Sequence, residues 1–378
     1  MFESLAELAA AGLLRELKVS RRDGKFIEAE GGRFLDFGSN DYLGMSARRD
    51  FQEEFMDSLR GVGAFLFGSG GSRLLTGNHE DYEAAEADIA RAYGRPCLVF
   101  NGGYHANTGL IPAIAGPGDL VLCDKLAHAS VIDALRLCGA KWMRFAHNDL
   151  AHLRALLSDM RGNFGRALIV TESVFSMDGD RADLPELVKI KNEFDALLYV
   201  DEAHGFGVFG ARGLGLAEAC GCVPDVDFIM CTLGKALAGE GAFVVCSEEW
   251  RGLFVNRARS LIFTTALPPV NLRWIRFAFG KLMGMRAERA RLEELAKLFR
   301  AGLAGFEALG DTQIAPVVVG GSDAALALSR ALAGAGIWAP AVRWPTVPAN
   351  SARIRFSLSA AMDPGDAAYC AQKISETK

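Results

Sequence analysis

The feature that most constrains this 378-residue chain is a series of short apolar runs between about residues 96 and 247. They cover 96–100, 120–123, 167–171, 196–200, 228–231 and 241–246. The runs are continuous rather than alternating, which is the pattern of strands covered on both faces. The segments between them, such as 129–138 and 184–194, read as helices. Strands alternating with helices predict an α/β chain, with a mostly parallel central sheet and helices on both faces. Such sheets bind ligands beyond the carboxyl ends of their strands. Four polar clusters fall there: Asn101-Gly102-Gly103-Tyr104, Glu172-Ser173-Val174-Phe175-Ser176, Asp201-Glu202-Ala203-His204 and Thr232-Leu233-Gly234-Lys235.

A helix or two, including Glu80–Tyr93, are expected before the sheet. Near residue 267 the grammar changes. Pro268-Pro269 breaks the chain, and a long charged helix is expected over 286–309. An apolar run at 316–319, a helix near 324–335, a proline-rich loop at 340–348 and a strand-like stretch at 353–358 follow. The expected division is an N-terminal helix and arm over 1–45, a large domain over 46–267 and a smaller C-terminal α+β domain over 268–378. At the start, Leu5, Leu8, Leu13 and Leu17 suggest an amphipathic helix. Glu3 and Glu7 stand where a secretory signal needs basic residues, so none is expected.

Half the residues are apolar and 23% are charged, so a large core can be buried and disorder is not expected. A net charge of −5 with no basic run counts against nucleic acid as the main partner. No segment has the ~20 apolar residues that a membrane span requires. The eight cysteines form no CxxC pair, and the spacing of Cys220 and Cys222 does not match a zinc site. Reduced core thiols, a cytoplasmic location and no metal are the expectation.

Lys235 follows an apolar strand and Gly234. A lysine there can form a Schiff base if the site lowers its pKa, though an isolated loop lysine is more often merely solvated. Asp201 ends a buried strand, where a carboxylate needs a basic partner. The protonated nitrogen of a pyridine ring would serve, and capping a following helix would serve equally well. His204 could donate to a cofactor's phenolic oxygen or bond locally. His128 begins a helix after a strand end and could stack on a flat ring or simply start the helix. Gly103 and Tyr104 stand between a strand and a helix, where backbone N–H groups hold phosphate. Thr232 adds a hydroxyl. The glycine-rich stretch 205–215 permits close backbone approach or a flexible turn. No Walker-type motif and no GxGxxG after a strand occurs, so a nucleotide fold has poor support.

Taken together, Ser39-Asn40-Asp41-Tyr42-Leu43-Gly44, Leu126-Ala127-His128-Ala129-Ser130, Asp201-Glu202-Ala203-His204-Gly205 and Thr232-Leu233-Gly234-Lys235 resemble the α-oxoamine synthases. These are fold-type-I pyridoxal-phosphate transferases that condense an amino acid with an acyl thioester and lose carbon dioxide. The resemblance runs from about residue 12 to the C-terminus. Three stretches narrow it to the activity that joins L-alanine to a pimeloyl thioester in biotin synthesis: Arg144-Phe145-Ala146-His147-Asn148-Asp149, Val174-Phe175-Ser176-Met177-Asp178-Gly179-Asp180, and Thr346-Val347-Pro348 followed by Ala352-Arg353-Ile354-Arg355.

The resemblance implies a set of roles. Lys235 is the Schiff-base lysine and proton shuttle, Asp201 pairs with the pyridine nitrogen, and His204 and Ser176 approach the phenolic oxygen. His128 stacks on the ring, while Gly103, Tyr104 and Thr232 serve the phosphate. Arg355 grips the amino-acid carboxylate, and Arg15 and Thr346 contact substrate. Glu172 and Asn40 lie near the site. Thr264 or Thr265 reaches the phosphate of a neighbouring subunit, which implies a homodimer with shared sites. The acyl carrier is coenzyme A or an acyl carrier protein. Two departures bear on the acyl substrate: Met362 stands where relatives often carry histidine, and Glu240 interrupts a run that is often glycine-rich. The rival readings are the same chemistry on glycine or serine, a transaminase or aldolase, and a non-catalytic binding protein on the same fold.

Overall fold

The computed structural model describes residues 4–10, 13–61, 66–306 and 308–377. In chain order the strands are β1 (Ser20–Asp23), β2 (Phe26–Ala29), β3 (Gly32–Asp36), β4 (Cys97–Phe100), β5 (Leu120–Asp124), β6 (Lys141–Phe145) and β7 (Ala167–Glu172). They continue as β8 (Leu197–Asp201), β9 (Phe228–Thr232), β10 (Ala242–Val245), β11 (Ile314–Gly320), β12 (Ile337–Trp338), β13 (Ala341–Val342) and β14 (Ala352–Ser357).

The chain forms two compact units, and the larger comprises Asp41–Ser176 and Asp180–Arg291. Its sheet has seven strands in the order β4-β10-β9-β8-β7-β5-β6. Strands β5 to β9 pair in parallel, and β10 runs antiparallel to both β4 and β9. Every residue of β4, β5 and β7 is buried, which is why those runs read as continuously apolar. Leu98, Val121, Val170 and Met230 pack with Ala106, Leu110 and Ile111 of the helix Gly103–Ile114 in one core. The expected strands and the helices Glu80–Tyr93, Ala129–Leu137 and Leu184–Glu193 are present. Strand β6 escaped the sequence reading because it lies at the sheet edge with Lys141 and Arg144 exposed.

The smaller unit combines Met1–Asn40, Met177–Gly179 and Leu292–Lys378. Strands β1, β2 and β3 form an antiparallel meander, and β3 pairs in parallel with β12 through Leu35↔Ile337 and Asp36↔Trp338. Strand β14 is flanked by β11 and β13. The β3–β12 pairing places the N-terminal arm in one unit with the C-terminal segment, which differs from the expected separate arm. The second boundary differs as well. Pro269 starts a helix, Pro269–Gly284, that packs on Glu80–Tyr93 inside the larger unit. Proline suits a first helical turn because its missing N–H would be unpaired there anyway. The charged helix covers Arg286–Ala301 and stops at Gly302, short of the expected end.

Among the described residues the expected N-terminal helix is seen over Leu5–Ala10, none of which is buried. Glu3 lies outside the described residues. Leu17 and Val19 are exposed on a non-helical segment. An amphipathic stripe holds a helix only where it has a surface to cover. All eight cysteines are free thiols, and no helix among the described residues is long and apolar enough to cross a membrane.

One buried carboxylate ties the larger unit together. Glu86, 4% exposed on Glu80–Tyr93, accepts from Arg73 Nη1 at 2.6 Å, Arg251 Nη2 at 2.9 Å and the Val99 backbone N–H at 2.8 Å. Arg73 also lies 4.0 Å from the Tyr82 ring centroid. The carboxylate thereby links its helix to β4 and to the helix Glu248–Arg257. Removing it leaves the buried Arg73 guanidinium without its counter-ion and Arg251 with only the exposed Glu248, at 3.9 Å. Glu86→Ala should lower the unfolding free energy by about 3–5 kcal/mol, measured by urea denaturation.

Candidate active site

Parallel pairing brings the carboxyl ends of β7, β8 and β9 together. Glu172 stands opposite Asp201, and Asp201 opposite Met230. Beyond these ends lies a cavity of about 150 Å³. Seven of the residues singled out from the sequence line it: Gly103, Tyr104, His128, Asp201, His204, Thr232 and Lys235. Glu172 joins them, with Asn107 and Ser130, which the sequence reading missed. Asn107 left one signal: it is a polar residue on an apolar helix face, between buried Ala106 and buried Leu110 and Ile111.

Asp201 is buried at the end of β8. Its Oδ1 accepts from the Ala203 N–H at 2.9 Å, and its Oδ2 from Asn107 Nδ2 at 2.9 Å. Helix capping is not its task, because turns follow and the next helix starts only at Leu216. His204 is buried, with Nδ1 2.6 Å from the Tyr42 hydroxyl. His128 starts the helix: it caps Ala129–Leu137 by accepting the Ser130 N–H at Nδ1, and it also lines the cavity. Burial pushes its pKa down, and the Lys235 charge acts the same way against Asp201.

Glu172 is fully buried. Burial, reinforced by repulsion from Asp201, holds its carboxyl well above the usual carboxylate range. Its Oε1 is a buried oxygen with no hydrogen-bond partner in the protein. The helix Gly103–Ile114 begins at Gly102 with no side-chain cap, so its first N–H groups open beside the Thr232 hydroxyl.

The other sequence candidates lie elsewhere. Ser176, Thr264 and Thr265 do not line the cavity. Asn101 Nδ2 donates to the Thr265 carbonyl at 2.6 Å and contacts Thr264 Oγ1 at 3.4 Å. Within the smaller unit, Arg15 Nη2 donates to Thr346 Oγ1 at 3.1 Å. Arg355 Nη1 donates to Asn40 Oδ1 at 3.1 Å and to Ser357 Oγ at 2.7 Å. Within 205–215, Gly205 and Gly215 close around the Glu202 carboxyl. A Cβ at Gly205 would lie 2.0 Å from Glu202 Oε2, and one at Gly215 would lie 2.6 Å from its carboxyl carbon. Burial raises Glu202 to about 7, against hydrogen bonds from Ser173, Ala217 and Leu216.

The Arg144–Asp149 stretch forms a structural clamp. His147 donates from Nδ1 to Asp124 and from Nε2 to Asp180, each at 2.9 Å. Burial opposes its charge, but the two carboxylates outweigh this and raise its pKa to about 10. Because the folded value lies above the ordinary value of 6.5, the stabilisation is full below that pH and drains away as pH rises towards about 10. His147→Ala should cost about 3 kcal/mol near pH 6. The gap between variant and parent should narrow steadily from pH 7 to 10 in urea titrations.

A seven-stranded, mostly parallel sheet with a lysine, an acid and a phosphate-type helix start at one edge is the fold-type-I architecture of pyridoxal-phosphate enzymes. Residues 33–374 match the family described as aminotransferase class I and II. The chain is 48% identical over 345 residues to an 8-amino-7-oxononanoate synthase of Chlorobaculum parvum, spanning 90% of this chain and 88% of that one. It is 44% identical to an 8-amino-7-oxononanoate synthase of Haemophilus ducreyi, spanning 95% of each. A serine palmitoyltransferase variant from S. paucimobilis with a bound PLP–myriocin aldimine superposes with a TM-score of 0.90 at 29% identity, over 98% of this chain and 94% of that one. The chain belongs to the aminotransferase class I and II family, within its α-oxoamine synthase branch.

Proposed function

We propose that this chain is an 8-amino-7-oxononanoate synthase acting with pyridoxal 5'-phosphate in biotin synthesis. It condenses L-alanine with a pimeloyl thioester of coenzyme A or acyl carrier protein, and releases carbon dioxide and the free carrier thiol. The observation that carries this reading is the meeting of Lys235, Asp201, His128, His204 and Thr232 in one cavity. The 41–48% identity to curated synthases of that name supports the choice of substrates.

The residues present fit the cofactor. The uncapped helix start at Gly103 and Tyr104, with the Thr232 hydroxyl, suits a phosphate. A buried Asp201 backed by two donors suits a cationic ring nitrogen. Bound there, pyridoxal phosphate supplies an electron sink for the α-carbanion of an amino acid.

This chain's residues would do the rest. Lys235 would hold the cofactor covalently and carry the α-proton. Asp201 would keep the ring nitrogen protonated. His128 would pack against the ring, and His204 and Ser176 would approach its phenolic oxygen. Arg355, already oriented by Asn40 and Ser357, would grip the alanine carboxylate. Arg15 and Thr346, hydrogen-bonded to each other, would contact substrate.

A homodimer with shared sites is part of the proposal. It is supported by Phe67, Leu75 and Phe263, which are 80%, 81% and 70% exposed on the larger unit. Thr264 or Thr265, directly after Phe263, would reach the partner's phosphate. A cytoplasmic location suits the free thiols.

The purified protein should be yellow, and borohydride should trap the cofactor on Lys235. Lys235→Ala should abolish both the trapping and the turnover. Product identification with alanine, glycine and serine against several acyl thioesters separates the proposed reading from its relatives. A preference for glycine or serine would overturn it. Arg355→Ala should raise the KM for the amino acid roughly 10–100-fold, the worth of a charged hydrogen bond, with a smaller effect on thioester KM in steady-state assays.

A further inference from the structure

We propose that Asn107 is a positioning residue: it passes a one-way chain of hydrogen bonds from Tyr199 to His128, which fixes His128 as a neutral imidazole with its proton on Nε2, and it holds the Asp201 carboxylate with the same amide. The chain lies wholly within the larger unit.

Donor direction can be followed atom by atom. The Tyr199 hydroxyl is fully buried and has one proton, which it gives to Asn107 Oδ1 at 2.6 Å. The other end of the amide is therefore the nitrogen. Its two N–H groups go to Asp201 Oδ2 and Ser130 Oγ, both at 2.9 Å. A flipped amide would set oxygen against a carboxylate, so this orientation is the one that satisfies every partner. Ser130 Oγ has then accepted one hydrogen bond and has its own proton to donate. His128 Nδ1 lies 2.8 Å away to receive it. The Ser130 backbone N–H also points at Nδ1, at 3.3 Å, and a backbone N–H cannot reverse its role. Nδ1 therefore keeps its lone pair, and a neutral ring carries its proton on Nε2.

The surroundings agree. The Asp201 and Glu172 carboxyls, the Lys235 amine and the His204 imidazole line the same cavity. The Tyr104 ring stands edge-on to His128 at 6.5 Å. Burial and Lys235 disfavour the imidazolium, while Asp201 favours it. Burial keeps the proton on Tyr199. Resting on the function proposed above, the consequence is that His128, while packed against the cofactor ring, offers the cavity a donor only, through Nε2.

The test is nitrogen NMR of ¹⁵N-histidine-labelled protein, with and without pyridoxal phosphate, from pH 5.5 to 8. The chain has six histidines, and a His128→Gln variant assigns the resonance. The expected result is an unprotonated Nδ1 and a protonated Nε2 at neutral pH in both forms. Ser130→Ala removes the side-chain donor, keeps the backbone one and is mild enough to fold. It should raise the His128 midpoint by roughly one pH unit, the worth of about one neutral hydrogen bond. Asn107→Ala should produce the same rise and also shift the cofactor's absorption band, because Asp201 loses a donor. An Nδ1-protonated or cationic His128 at pH 7 in the parent protein would overturn the proposal. So would an Asn107→Ala protein that merely melts earlier, with the His128 resonance and the cofactor band unmoved. Failure of borohydride trapping on Lys235 would overturn the proposed function and leave the tautomer result standing on its own.

Discussion

A carboxylate at the end of a buried strand is costly unless its oxygens are paired, and the way Asp201 is paired organises the whole site. One oxygen is satisfied locally, by the N–H two residues on. The other is satisfied from the helix Gly103–Ile114 through Asn107. That second bond fixes the helix against the sheet, and with it the start of the helix at Gly103. The same amide reaches Ser130 and so the imidazole of His128. One buried charge thus couples the acid, the ring-packing histidine and the anion-type helix start.

The larger unit spends its other polar contacts on rigidity. Glu86 joins a helix, an edge strand and a second helix through two arginines. His147 bridges Asp124, at the end of β5, to Asp180, beyond β7. Glu202 is sealed by Gly205 and Gly215, with N–H groups of Leu216 and Ala217 on its carboxyl. Each of these carboxyls lies close to a strand end that feeds the cavity. Fixing those ends limits how far the functional side chains can wander, and a misplacement of ~1 Å at a reacting centre can cost ~100-fold in rate.

Several stretches that stand out in the sequence serve the fold of the larger unit. The Arg144–Asp149 stretch reads as a signature, yet His147 serves packing and charge balance. The glycine-rich stretch after His204 permits close backbone approach, and at Gly205 and Gly215 it is the Glu202 carboxyl that comes close. The two prolines near residue 268 look like a domain break, yet Pro269 opens a helix of the larger unit. In each case the residue type was informative, but its partner lay far away in sequence.

The sequence by itself determined most strands of the larger unit, the mostly parallel character of its sheet and the strand ends where ligands bind. Those are properties of local periodicity: a strand buried on both faces must be apolar throughout, and polar residues must then cluster at its ends. It also picked out the lysine, the acid, two histidines and the hydroxyl that line the cavity. Tertiary structure alone decided the rest. Strand β6 is an edge and so lacks the apolar signal. The N-terminal meander joins the C-terminal unit only because β3 finds β12, a pairing across some 300 residues that no local pattern records. Asn107 and Ser130 matter because two helices and strand β8 meet through one amide. The direction of their hydrogen bonds, and hence the protonation of His128, follows from which donors face which acceptors across the folded core.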